Sequence, residues 1–208
     1  YGSGAVADST EGDGLTMLNL DVGGGTAKLA VVSNGDVLET AAINVGARLI
    51  TIDDDGCLSK TEEAALVVAR HLRLELKPGE VLSRETAAAL SEALAKSLLE
   101  AAARKDFAPL TTELMITAPL SYRGGLDAVL FSGGVSEYLY GTEERSYGDL
   151  GVLLGQKIRE LTPNYLGTVP VKTPRQRIRA TVIGASQFTA QVSGNTIYIK
   201  HPGRLPLR

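Results

Sequence analysis

The chain has 208 residues, a net charge of −3, 22% charged residues and 44% apolar ones; it suits one large domain or two small ones with a sizeable buried core. So small a charge gives no general pull toward nucleic acid or an anionic membrane, and no apolar run approaches the roughly 20 residues of a membrane span. The single cysteine, Cys57, excludes an internal disulfide or a multi-cysteine metal cluster and fits a reducing cytoplasm, and His71 and His201 offer no zinc spacing.

The opening YGSGAVADSTEGDG, residues 1–14, is small and polar and reads as a linker or the end of a connecting segment. A start at Tyr1, without Met or signal peptide, suggests a piece of a longer protein. Met17 to Leu20 predicts a strand. Leu29 to Val32 and Val37 to Ile43 predict two more, joined at Asn34-Gly35 by a tight type I′ hairpin. Asp53, Asp54, Asp55 and Gly56 read as a solvated turn, since the alternating acids and distant Glu of a calcium loop are absent.

Glu62 to Leu72 predicts a short helix. Ser83 is placed to cap a longer one, along which Ala87, Leu90, Leu94, Leu98 and Ala101 recur at helical spacing. Pro109 and Pro119 argue for connection over residues 106–122. Leu126 to Phe131 predicts a strand apolar on both faces, hence buried, running into Ser132-Gly133-Gly134-Val135-Ser136-Glu137. Leu150, Leu153, Leu154, Ile158 and Leu161 mark an amphipathic helix. Val169 to Thr173 reads as a short strand, Ala180 to Gln191 as a helix and Ile197 to Lys200 as a closing strand. Strands and helices alternate in the second half, which indicates an α/β layered domain.

Two glycine loops carry the chemistry. In Asp21-Val22-Gly23-Gly24-Gly25-Thr26, successive bare amides in a tight turn can all face one anion, a backbone nest for phosphate oxygens. Thr26 adds a hydroxyl donor. Asp21, at a strand end, can hold the hydration shell of magnesium, which keeps most of its waters and takes few carboxylates. A Walker A loop would need Gly-Lys-Ser/Thr opening a helix, whereas a strand follows here. Taken alone, a glycine-rich hairpin without a ligand would read the same. Gly133 and Gly134 again follow a buried strand, and ligands of open α/β sheets sit beyond the carboxyl ends of strands. Both loops can therefore face one crevice, phosphates at the first and nucleoside at the second.

The two loops, in this order, resemble those of the ATPase fold shared by actin, the heat-shock chaperones and the sugar kinases. Asp21 to Thr26 resembles its second phosphate motif, FSGGVSE its adenosine motif, and Ile183-Gly184-Ala185-Ser186 its later connecting helix. The resemblance implies the second lobe of an actin-like ATPase, a ribonuclease H-like mixed sheet flanked by helices, over residues 15–200, with 201–208 as a tail. It implies ATP and magnesium as cofactors. Asp21, Gly23, Gly24, Gly25 and Thr26 would meet the phosphates, Gly133, Gly134, Val135 and Glu137 the nucleoside, and Asp21 would hold magnesium through water. It identifies no catalytic residue.

A longer ordered series narrows this. LDVGGGTAKLAV, INVGARLI, FSGGVSEY, Gly148-Asp149-Leu150-Gly151 and VKTPRQRIRATVIGASQFTAQVSGNTIYI together are similar to the ethanolamine ammonia-lyase reactivating factor of ethanolamine utilisation, from Leu15 to Lys200. That family implies a chaperone-like ATPase that drives release of damaged cobalamin from the lyase, its partner, so that adenosylcobalamin can enter. It implies action in the cytoplasm, near or inside a bacterial microcompartment. Three departures stand out. Ala27-Lys28 follows the triple glycine where relatives often have polar residues, residues 48–119 follow the family loosely, and no first phosphate motif is present. The chain alone is therefore expected to bind ATP weakly and to lack ATPase activity.

Other readings stay open at this point. A metabolite kinase and a filament-forming actin relative share the fold, and fold alone does not separate them. Dehydratase activators with an iron–sulfur cluster share it too, but a lone Cys57 without a surrounding motif speaks against that chemistry and reads as an inert thiol. Glu137 reads equally as a ribose neighbour or as an acid in a helix's first turn. Arg175, Arg177 and Arg179 read as a solvated run, and His71 as a solvated helix residue.

Overall fold

The computed structural model describes residues 2–12, 14–105, 107–176 and 179. A four-residue helix, α1 (Ala5–Asp8), precedes an antiparallel meander of β1 (Thr16–Val22), β2 (Ala27–Ser33) and β3 (Asp36–Ile43). Asn34 and Gly35 take φ of 49° and 89°, the positive pair that a type I′ hairpin demands. A 3₁₀ turn (Ala47–Leu49) leads into the hairpin β4 (Ile50–Ile52) and β5 (Leu58–Thr61). Helices α2 (Glu63–Leu72), α3 (Arg84–Ala103) and α4 (Pro109–Leu114) follow, then β6 (Ala128–Ser132), α5 (Gly134–Leu139), α6 (Gly151–Leu166) and β7 (Val171–Lys172).

The main sheet has the order β3-β2-β1-β6-β7, antiparallel through the meander and parallel from β1 to β6 to β7. An antiparallel meander followed by parallel strands reached through helical crossovers is the ribonuclease H-like arrangement that the resemblance implies. Alternation along the strands sorts the sheet's faces. Leu18, Leu20, Val22, Leu29, Val31, Val129 and Phe131 share one large core with Leu90, Leu94 and Leu98 of α3 and Leu154 and Ile158 of α6. Met17, Val32, Ala128 and Leu130 form a smaller cluster with Ala5 of α1. Every residue of β6 is buried, as an apolar run on both faces requires.

Ser83 caps α3 as its position suggests, its Oγ accepting the Thr86 N–H at 3.1 Å. Three segments differ from expectation. Part of the supposed linker is α1, held down because Ser9 Oγ accepts the Gly35 N–H at 2.9 Å and Ser9 is fully buried. Pro109 starts a helix instead of interrupting one, since the first helical position has no N–H to satisfy. The β4–β5 hairpin was not foreseen. Its turn is the acidic one, where Asp53 Oδ1 accepts the N–H groups of Asp55 and Cys57 at 3.1 and 2.8 Å. Burial first, then the Asp53 and Asp55 charges, push the Cys57 thiol up, which fits an inert thiol. The expected helix 180–191, with Ile183 to Ser186, and the expected strand 197–200 lie outside the described residues.

Candidate functional site

Because β1 and β6 are parallel neighbours, both glycine loops emerge at one edge of the sheet. Leu20 pairs with Phe131 and Asp21 with Ser132, so the chains leave side by side. Gly133 sits at φ 84° directly against the end of β1. A Cβ there would lie 2.3 Å from the Val22 carbonyl oxygen and 2.6 Å from Asp21 Oδ1. Ser136 Oγ then donates to the Gly133 carbonyl at 2.7 Å and closes the turn into α5.

The first loop is held from one side by the strap formed by Gly46, Ala47 and Arg48. The Gly23 N–H donates to the Thr26 carbonyl at 3.2 Å, while the Ala47 and Arg48 N–H groups donate to the Gly23 and Gly24 carbonyls at 3.1 and 2.6 Å. Only glycine at position 46 permits this approach, since a Cβ would meet the Gly24 oxygen at 2.3 Å. With those carbonyls turned to the strap, planar trans peptides turn the Gly24 and Gly25 N–H groups the opposite way. Neither N–H has a partner among the described residues.

The triple glycine itself is spacious. None of Gly23, Gly24 and Gly25 has positive φ. A Cβ would come no closer than 3.6 Å to the Thr26 oxygen from Gly23 and 3.5 Å to Arg48 from Gly24, and would meet nothing within 4 Å from Gly25. Gly134 likewise has open space.

The two loops border one cleft of about 450 Å³, lined by Gly23, Gly24, Gly134, Val135 and Glu137 together with Ala47, Arg48, Tyr138, Glu143, Tyr147 and Asp149. Gly25 and Thr26 face a second hollow of about 610 Å³, which includes Asn44, Thr51, Lys60, Glu62 and Glu63. Gly24 and Arg48 belong to both, so they form the saddle between them. Gly133, expected to line the same cleft as Gly24, is itself buried, and neither it nor half-buried Asp21 is among the residues lining the two cavities. The reason is the tight fit of Gly133 on Val22, which leaves Asp21 Oδ1 shielded from solvent.

The outer wall is a loop that the sequence did not flag. Glu137 accepts from the Thr142 hydroxyl at 2.6 Å, Tyr138 donates to the Arg145 carbonyl at 2.9 Å, and Tyr147 donates to Glu143 at 2.9 Å. The Arg145 N–H and the Tyr147 hydroxyl hold the Glu143 carboxyl below its ordinary value. Burial, then the Asp149 and Glu143 charges, push the Tyr138 hydroxyl up, and the hydrogen bond to Glu143, then its charge, push the Tyr147 hydroxyl up. Asp149 Oδ1 accepts the Gly151 N–H at 2.8 Å, and the Leu150 N–H donates to the Ala47 carbonyl at 3.0 Å, which ties this wall to the strap. Arg48 and Asp149 stood within INVGARLI and Gly148 to Gly151, but nothing in those stretches singled them out.

This arrangement can hold an anion at the saddle and a flat group against Gly134, Val135 and the two tyrosines. Among the described residues no group of three or more His, Cys, Asp or Glu side chains could cage a metal. One carboxylate near an anion site suits only a cation that keeps its water, as magnesium does.

A family model described as ethanolamine utilisation protein EutA matches residues 1–208. Ethanolamine ammonia-lyase reactivase EutA of Salmonella typhimurium is 33% identical over 223 aligned positions, covering 100% of this chain and 44% of that protein. The Escherichia coli K12 protein of the same description gives the same identity and coverage. The chain thus spans less than half the length of these relatives. Among solved structures, (R)-2-hydroxyglutaryl-CoA dehydratase component A of Acidaminococcus fermentans superposes with a TM-score of 0.40 at 14% identity, over 93% of this chain and 68% of that one. Ethanolamine utilization protein EutJ of Carboxydothermus hydrogenoformans gives 0.38 at 15%, over 90% and 54%. No described helix is long and apolar enough to cross a membrane.

Proposed function

The chain belongs to the ethanolamine utilisation protein EutA family, and from that premise we propose that it forms the nucleotide-binding lobe of a factor that reactivates ethanolamine ammonia-lyase. The observation that carries this reading is the triple glycine. Three glycines without positive φ and with room for a Cβ are not required by the protein's own packing. Their bareness makes sense if something outside the chain must come close to the backbone.

The Gly24 and Gly25 N–H groups would donate to phosphate oxygens, with Thr26 adding its hydroxyl. The nucleoside of ATP would lie in the cleft along Gly134 and Val135, between Tyr138 and Tyr147. Glu137, tied to Thr142, would border the ribose. Asp21 would hold magnesium through water, and the metal when bound would offset phosphate charge. Nucleotide occupancy would set the closure of this lobe on its neighbour, and that motion would release damaged cobalamin from the lyase. The family match favours this reading over the metabolite-kinase and filament readings. The same proposal sets its action in the cytoplasm, near or inside a bacterial microcompartment.

The test mixes the protein as the cell makes it with cyanocobalamin-inactivated lyase, ATP, magnesium and adenosylcobalamin, and follows ammonia release from ethanolamine. Recovery that depends on ATP is expected. No recovery with active cofactors present would reject the function.

A further inference from the structure

We propose that Arg48 is a phosphate-binding residue that grips the outer phosphates of a nucleoside di- or triphosphate where they cross the saddle toward Thr26. The inference rests on the nucleotide reading above and adds a residue and a ligand preference to it. Arg48 travels with the loop. Its N–H donates to the Gly24 carbonyl at 2.6 Å, and its side-chain carbons pass 3.5 Å from where a Gly24 Cβ would stand. The guanidinium is thereby carried to the ridge that both cavities share.

Its present pairing leaves capacity. The Arg48 Nε to Asp149 Oδ2 distance is 3.6 Å, beyond the roughly 2.7–2.9 Å of a charge-assisted hydrogen bond. Asp149 is committed elsewhere through its Oδ1 bond to Gly151 and its side chain is 8% exposed, whereas the Arg48 side chain is 66% exposed. Asp149 therefore aims the guanidinium without satisfying its five donors. The only other cation lining either cavity among the described residues is Lys60, which pairs with Glu62 at 2.6 Å. A phosphate at the saddle would meet a planar fork suited to two of its oxygens.

With the nucleoside in the cleft, the phosphates beyond the first would be the ones gripped at the ridge, so Arg48 would separate di- and triphosphates from AMP. The test is calorimetric titration of the protein as the cell makes it, and of its Arg48→Gln and Arg48→Lys forms, with AMP, Mg-ADP and Mg-ATP. Arg48→Gln keeps the stem along Gly24, so melting temperature is expected to hold. Its affinity for ADP and ATP should fall about ten- to a hundredfold, by the size of lost charged hydrogen bonds, with AMP changed less than about twofold. Arg48→Lys should recover only part, since an ammonium lacks the fork. If Arg48→Gln binds ADP and ATP like the parent, or loses AMP equally, the role of Arg48 is overturned while the nucleotide reading stands. If the unmutated protein binds none of the three, both fall.

Discussion

The loops that follow β1 and β6 both depend on glycine, for opposite physical reasons. Gly133 is required from within: its φ of 84° and its contact with the Val22 carbonyl admit no side chain. Gly23, Gly24 and Gly25 are permitted side chains by the protein and carry none. A glycine locked by its own fold reports on architecture, while a glycine with empty space above it reports on what approaches from outside. The second loop is thus a joint, and the first is the surface that we propose a ligand contacts.

The sharpest way to break this contrast is Gly133→Ala. The strained backbone and the clash with backbone oxygen should together cost about 3 kcal/mol or more, lowering the melting temperature by several degrees. A melting curve indistinguishable from the parent would show that the joint is not tight. Next in size is Asp21→Asn, which we expect to abolish reactivation of the lyase while the melting temperature holds. Asn keeps the shape but loses the charge that would hold hydrated magnesium. Reactivation at the parental rate would reduce Asp21 to a turn residue.

Gly25→Ala probes the other arm. With open space and ordinary φ, stability should change by less than about 0.5 kcal/mol, or rise slightly as the unfolded chain loses freedom. Mg-ATP affinity should nevertheless fall about tenfold by calorimetry, because the methyl group stands where phosphate would come. Unchanged affinity would remove the argument from empty space.

What the sequence disclosed follows from how local each feature is. The meander, its Asn34-Gly35 turn, the Ser83 cap and the α6 stripe are written in neighbouring residues, and all are present. The β4–β5 hairpin, with strands of three and four residues, is too short for alternation to emerge. Among site residues, the glycine loops were legible because strand-glycine-strand and strand-glycine-helix patterns are local. Arg48, Tyr138, Tyr147 and Asp149 were not, since their meeting depends on a strap and a loop brought together by the fold. That Gly133 is buried against Val22 was equally a matter of packing.

The smallest expected effect comes from a carboxylate remote from both loops and marks where structural acid ends and site acid begins. Glu39 on β3 accepts from the Ser121 hydroxyl and from the Ser121 and Tyr122 N–H groups, the latter two at 2.7 and 2.9 Å. The Ser121 hydroxyl first, then the Tyr122 N–H, hold its carboxyl below the ordinary value of 4.5. A lowered folded pKa contributes stability that is present above the unfolded value and lost as pH falls through the folded one. The protein should therefore lose a little stability below about pH 4.5, and Glu39→Gln should flatten that acid limb without altering nucleotide affinity. An unchanged limb in thermal melts across pH would remove Glu39 from the account.

Whether a nucleotide's phosphates approach the bare first loop is read by titrating ¹⁵N-labelled protein with Mg-ATP and following backbone amides. Because the N–H itself is the proposed donor, even weak binding registers. The Gly24 and Gly25 amides are expected to move most and Gly134 with them, while exposed Gly79 beside β5 stays still. Gly24 and Gly25 amides unmoved at millimolar Mg-ATP, or the largest shifts elsewhere in the chain, would contradict it.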